Sequence, residues 1–173
     1  MILRIKKIYI RIFIGLLIFS GIVQNLYAQP ENPPRPMVIT STSNLSFGLF
    51  SSEITGGTIQ VDEYGVRTSS GDIVLYNLGY LYHPASFQVD VNPGHIITIN
   101  LGTLGTLGHD ILLSDGVGHT MKLELNGIYP LSPFVTTTDI TDIYVGGILT
   151  VGNMMTNPPG TYNGTITVIF NYQ

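Results

Sequence analysis

The chain has no cysteine. That excludes disulfides, thiol catalysis and cysteine-based metal sites, and it leaves no lipid-anchored cysteine behind a leader. Basic residues are scarce: seven Lys and Arg stand against eleven Asp and Glu. Four of the seven (Arg4, Lys6, Lys7, Arg11) lie in the first eleven residues, so only Arg35, Arg67 and Lys122 remain beyond them. Nucleic acid and anionic lipid both require clustered Lys and Arg, so neither is an expected partner. After residue 28 no stretch of ten or more residues shows a helical period of apolar side chains. No G-x-S-x-G elbow occurs, and no Lys follows the glycines of 102–108 (GTLGTLG) as a phosphate loop would need. The four histidines (His83, His95, His109, His119) are not spaced as metal pairs.

The ends carry more information. A basic start, an uncharged apolar run over 12–23 and a small residue at Ala28 describe a secretory signal peptide, 1–28, cleaved before Gln29. The apolar run is shorter than the ~20 residues of a spanning helix. The chain is therefore expected to be exported to the periplasm, cell surface or medium, with no membrane segment once the signal is removed. A Pro-rich leader follows at 29–36 (residues 30–36 read PENPPRP), extended and better suited to a tether than to a domain. The remaining residues, 37–173, suffice for one domain with one core.

Within that domain short strand-like runs alternate with turn signals. Candidate strands are 37–42, 45–50, 57–62, 72–76, 85–91, 95–101, 119–125, 143–151 and 161–172. Glu63-Tyr64-Gly65, Ser70-Gly71, Asn92-Pro93-Gly94, Asp115-Gly116, Asn126-Gly127 and Pro158-Pro159-Gly160 punctuate them. Phe87, Val89 and Val91 oppose Ser86, Gln88 and Asp90. Met121, Leu123 and Leu125 oppose Lys122, Glu124 and Asn126. The fold class this implies is all-β, an immunoglobulin-like antiparallel sandwich.

The run 161–172 is the most regular. Tyr162, Gly164, Ile166, Val168, Phe170 and Tyr172 share one face, and only Ile169 breaks the polar pattern of the other. Five large apolar side chains on that face, at roughly 1.5–3 kcal/mol each when fully buried, rival the net stability of a domain. Such an edge must be paired or it aggregates.

Sites for chemistry are few. His109-Asp110 is a polar pair in a Gly-rich loop, and Asp110, Ser114 and Asp115 could hold calcium only outside the EF-hand spacing. Asp62 and Glu63 are neighbours on a strand and point to opposite faces, so they do not form a carboxylate pair for glycoside cleavage. Tyr76, Tyr80 and Tyr82 cluster before Pro84 and could offer an aromatic platform to a sugar, though such rings more often cap a core. The reading is a non-enzymatic protein with no cofactor and no metal. A small carbohydrate- or calcium-binding module, using these tyrosines or the loop 108–116, is the alternative.

A resemblance extends this reading. It rests on Leu45-Ser46-Phe47-Gly48, on Gly57-Thr58 with Val61-Asp62, and on Gly65 with Arg67 before Gly71. It continues through Pro84-Ala85-Ser86-Phe87, then Gly146-Gly147 with Leu149-Thr150-Val151-Gly152. It ends on Pro159-Gly160-Thr161-Tyr162 with Gly164-Thr165 and Val168 through Tyr172. From about Met37 to Gln173 the chain resembles the secreted bacterial β-domain family called domain of unknown function 4402. That family implies neither a reaction nor catalytic residues.

The final strand is also similar to that of chaperone–usher pilins, with Tyr172 penultimate and Gly160 fourteenth from the end. This resemblance implies a pilin-like or fimbrial surface protein that assembles or adheres by strand pairing. Its pairing residues would be Gly160, Tyr162, Ile166, Val168, Phe170 and Tyr172, and its partners a periplasmic chaperone or like subunits. The pilin disulfide is absent, and the leader is Pro-rich where a pilin carries a long alternating donor strand. The N-terminal strand could therefore pair in its own sheet or in another chain's.

Overall fold

The computed structural model describes residues 35–102 and 111–173. Residues 1–34, which hold the expected signal peptide and most of the expected leader, and the Gly-rich stretch with His109 and Asp110 lie outside the described residues. Twelve strands follow in order: β1 (Val38–Ser43), β2 (Ser46–Phe47), β3 (Leu49–Val61), β4 (Arg67–Tyr76), β5 (Tyr82–His83) and β6 (Ala85–Asp90), then β7 (Ile96–Leu101), β8 (Ile111–Ser114), β9 (Thr120–Tyr129), β10 (Phe134–Val135), β11 (Ile140–Val151) and β12 (Val168–Tyr172). The chain is all-β, and every strand pair is antiparallel.

The larger sheet has seven strands and is organised by β11. Along one edge β11 pairs first with β6, through Ile140–Val145, and then with β3, through Gly147–Val151. Along the other edge it pairs with β9 throughout, from Tyr144 to Thr150. The change of partner falls at Gly146. A Cβ there would stand 2.7 Å from both the Asn126 and the Val61 carbonyl oxygens, so only glycine lets the three backbones converge. β1 extends this sheet beyond β6, β4 extends it beyond β3, and β8 extends it beyond β9. In a single chain the N-terminal strand thus pairs in its own sheet.

The smaller sheet has the order β10–β7–β12. It faces the larger one over a shared core. Ile97 and Ile99 of β7 are buried in the same cluster as Ile59, Val61, Val89, Ile143, Val145 and Leu149. The rings of Phe87 on β6 and Phe170 on β12 meet edge to face across the two sheets, with centroids 5.6 Å apart. The link from β6 to β7 joins the sheets at one pole. There Val38 pairs with Asp90, and Gln173 exchanges two backbone hydrogen bonds with Ile96, so β1 begins and β12 finishes beside the same short connection.

Several expected boundaries move. The turn pairs Ser70-Gly71 and Asn126-Gly127 lie inside strands, β4 and β9. Each glycine has positive φ (73° and 85°) and sits where the ladder shifts register. At Gly127 the extra residue lies on β9, a bulge that bends the continuing strand; at Gly71 the extra residues lie on β3, where 53–56 stand against Asp72 alone, and β4 continues past them. β3 likewise runs unbroken where two strands, 45–50 and 57–62, were expected.

The largest correction concerns 161–172. Only Val168–Tyr172 is strand; Gly160 lies in a bend and 161–167 is irregular apart from a bridge between Asn163 and Ser114. The segment touches the β8 edge of the larger sheet at Asn163 and then crosses to β7 of the smaller one. Gly164 permits the crossing, since a Cβ there would stand 2.6 Å from a Leu113 methyl and 2.9 Å from the Leu112 carbonyl oxygen. The chain leaves the larger sheet at Asn163 before it joins the smaller one at Val168, so the two pairings do not share one regular strand.

Candidate functional site

The edge of β12 is built by register. Gln173 and Ile96 exchange both backbone hydrogen bonds at 3.0 Å, and the Gly102 N–H donates to the Thr167 carbonyl at 3.0 Å. In an antiparallel ladder such pairs alternate, so residues 167, 169, 171 and 173 direct their backbone groups to β7. Val168, Phe170 and Tyr172 direct theirs the other way. Among the described residues no strand pairs with that edge. The side chains of these three stand opposite Leu101, Ile99 and Ile97, hence on the core side. Val168 and Phe170 are only half-buried, Tyr172 is exposed, and Ile169 on the outer face is exposed as well. Full burial of five apolar side chains, expected from the alternation, is not reached.

The other expected pairing residues divide. Tyr162 and Ile166 are half-buried against the core, and the Tyr162 hydroxyl donates to the Pro158 carbonyl at 3.0 Å. Burial, and then the nearby Asp115 carboxylate, push the Tyr162 phenol above its usual range. Gly160 and Gly164 carry no ladder hydrogen bond.

The three tyrosines of the expected platform lie around Arg67. Its guanidinium donates to the carbonyls of Phe47 (3.0 Å), Leu49 (3.4 Å) and Tyr76 (3.0 Å) and to the Asn77 side chain (2.9 Å). It also lies over the Tyr82 ring, 4.1 Å from the centroid. One face of Tyr82 is therefore occupied. The Tyr76 hydroxyl is shared with Ser51 at 3.1 Å, and Tyr80 projects into solvent with no ring partner. The arrangement is a clasp that ties β2, β3, β4 and the 77–82 loop together, and it does not form a continuous aromatic platform.

In the loop after β8, Asp115 is committed. Its Oδ1 accepts the N–H groups of Val117, Gly118 and His119, and its Oδ2 meets His119 Nδ1 at 2.6 Å. Burial alone would raise this carboxyl; the Val117 N–H, the His119 ring and the His119 N–H outweigh it and bring it to about 2. A carboxylate so engaged has little left for calcium. The group is depressed from an ordinary 3.8, so it contributes stability above about pH 4 that is lost as pH falls towards about 2. Amide exchange at Val117, Gly118 and His119 is expected to accelerate across that window, and Asp115→Asn to abolish the dependence. Among the described residues no three His, Asp or Glu side chains come together as a metal site requires.

What these parts define is an antiparallel β-sandwich module whose most distinctive surface is an unpaired strand edge. The chain belongs to the family described as domain of unknown function DUF4402, whose sequence model matches residues 37–172. No curated protein matches the chain, and no solved structure does.

Proposed function

We propose that this is an exported, non-enzymatic structural or surface protein that assembles or adheres through strand pairing at the free edge of β12, in the manner of a pilin. Its partners on this reading are a periplasmic chaperone or further copies of the chain. The observation that carries it is the coincidence at Val168, Phe170 and Tyr172 of backbone groups that no strand pairs with among the described residues and incompletely buried core-facing side chains. A strand added there would satisfy the backbone and cover the apolar face in one step. The carbohydrate or calcium alternative loses support from the Tyr82–Arg67 stacking and from the engaged Asp115.

The test uses the outer face of the same strand. Ile169 and Asn171 point away from the core and bond their backbones to β7, so Lys at both positions guards the edge without touching the ladder beneath. The chain from residue 29 is expected to form oligomers or a stable chaperone complex by light scattering. The I169K/N171K variant should remain a monomer with a melting temperature within about 3 °C of the parent, as for surface substitutions. Hydrogen exchange adds a second readout: the amides of 168, 170 and 172 should exchange fast in the monomer and slowly in the assembly. A parent that stays monomeric at every concentration and binds no chaperone would overturn the proposal.

A further inference from the structure

The turn between β3 and β4 is fixed by Asp62. Its Oδ1 accepts the N–H groups of Tyr64 (3.0 Å) and Val66 (2.8 Å), and its carbonyl accepts the Gly65 N–H at 3.0 Å. The residues it presents are therefore held and not left loose. Tyr64 leans on Tyr129, at the end of β9, with centroids 5.7 Å apart and planes tilted by 51°. Both rings remain open to solvent, at 70% and 48% exposure. The Glu63 carboxylate rests against Gly127, two residues before Tyr129, in space that any side chain at 127 would fill. Tyr144 stands opposite Tyr129 on β11, so it shares the same face of the sheet. That face is the outer one, because Ile143 and Val145 on either side are fully buried.

Two tilted aromatic rings thus meet from segments more than sixty residues apart in sequence, and the carboxylate of the residue before Tyr64 lies against Gly127, two residues before Tyr129. Tyrosine faces attract cations through the ring quadrupole, and a carboxylate beside them adds Coulomb attraction. The same molecule already seats a cation on a tyrosine face, Arg67 over Tyr82. The chain beyond the first 28 residues carries a net charge of the matching sign, with eleven acids against Arg35, Arg67 and Lys122. A phosphate or other anion would be repelled here.

We infer that Glu63, Tyr64 and Tyr129 form a binding site for an organic cation, either a lysine ammonium of a partner protein or a quaternary ammonium head group. The site is separate from the β12 edge and does not depend on strand pairing.

The experiment titrates the protein from residue 29 with tetramethylammonium, with Nα-acetyl-lysine methylamide, with tert-butanol as a neutral counterpart, and with cellobiose. Amide shifts of 62–66 and 127–129 report the site, and tyrosine emission is a second signal because the chain has no Trp. The two cations are expected to shift these residues saturably, with the tighter of the two identifying the natural source, and added salt should weaken both. Glu63→Gln should weaken binding about fivefold, from lost Coulomb attraction. Tyr64→Leu should abolish it by keeping apolar area while removing the π face. Tyr64 is exposed and Glu63→Gln is close to isosteric at a half-buried position, so both variants should retain a melting temperature near the parent's. An equal response to tert-butanol, a response to cellobiose alone, or no response at 62–66 and 127–129 would overturn the assignment.

Discussion

Replacing Gly146 with Val is expected to abolish folding, and Gly146→Ala to cost about 3–5 kcal/mol, a large part of the ~5–15 kcal/mol that holds a domain together. The reason is space alone, since Gly146 does not have the positive φ that favours glycine elsewhere in this chain. A methyl group at 146 meets two carbonyl oxygens from opposite sides, Asn126 and Val61, and the Asp62 carbonyl carbon at 2.9 Å. All three are backbone atoms of strands or a turn paired on both sides, so none can yield without breaking ladder bonds. Urea denaturation of Gly146→Ala should show a lower midpoint with an unchanged slope. A midpoint within error of the parent would show that β11 does not need close approach at its change of partner. Because Asp62 and Asn126 flank the Glu63–Tyr64–Tyr129 cluster, the alanine variant should also disturb amide shifts there.

Arg67→Lys should destabilise the protein by about 2–3 kcal/mol, well beyond what an exposed charge-conserving change costs. Arg67 spreads four donated hydrogen bonds over three strand segments and a loop while stacking on Tyr82. A lysine ammonium has three donors on one atom and no plane, so it can neither reach carbonyls on both sides nor lie flat on the ring. Part of the loss is softened by water, since Arg67 is only half-buried. Protease cleavage between Asn77 and Tyr82 should rise in the variant, while the β12 edge behaves as in the parent. If Tyr82→Leu is made in both backgrounds, the coupling between the two positions should be about 0.5–1 kcal/mol, the range for a solvent-accessible cation–π pair.

The sequence made some of this legible, for physical reasons. β9 alternates strictly through Asn126 because Met121, Leu123 and Leu125 are buried and Lys122, Glu124 and Asn126 are wet; β6 keeps the alternation in sequence while all of it but Ala85 and Val89 is half-buried. β8 carries no strand signal because Ile111, Leu112 and Leu113 do not alternate and Gly-rich chain precedes them. The first half of β4, Arg67 to Gly71, has no apolar residue at all; it is strand only because β3 pairs with it. Asn126-Gly127 and Ser70-Gly71 have the chemistry of hairpin turns but lie inside strands, the first as a bulge and the second opposite the register shift of β3, and local composition does not distinguish these uses. Period two persists through 161–167 while the backbone crosses from one sheet to the other, so the pattern overstates the length of the final strand. Of the residues on that face, Val168, Phe170 and Tyr172 fall within β12, whereas Gly160, Tyr162 and Ile166 do not. The Tyr64–Tyr129 contact had no signal, since nothing in a linear pattern joins a turn to a bulged strand so distant in sequence. The clasp around Arg67 was foreshadowed only by the run of tyrosines, and its cation reversed their apparent meaning.

The meeting of β1 and β12 at one pole has a mechanical consequence. A load applied at Met37 and Gln173 would pull across the strands, and the first bonds to feel it would be those at Asp90 and Ile96. Bonds loaded in this way open one after another, like a zipper, whereas strands pulled lengthwise share the force among all their bonds at once. Taken alone, the module would be a weak link under tension. A neighbour's strand laid along β12 would run beside Val168–Tyr172 and take load lengthwise, so the joint between two modules could outlast either module by itself.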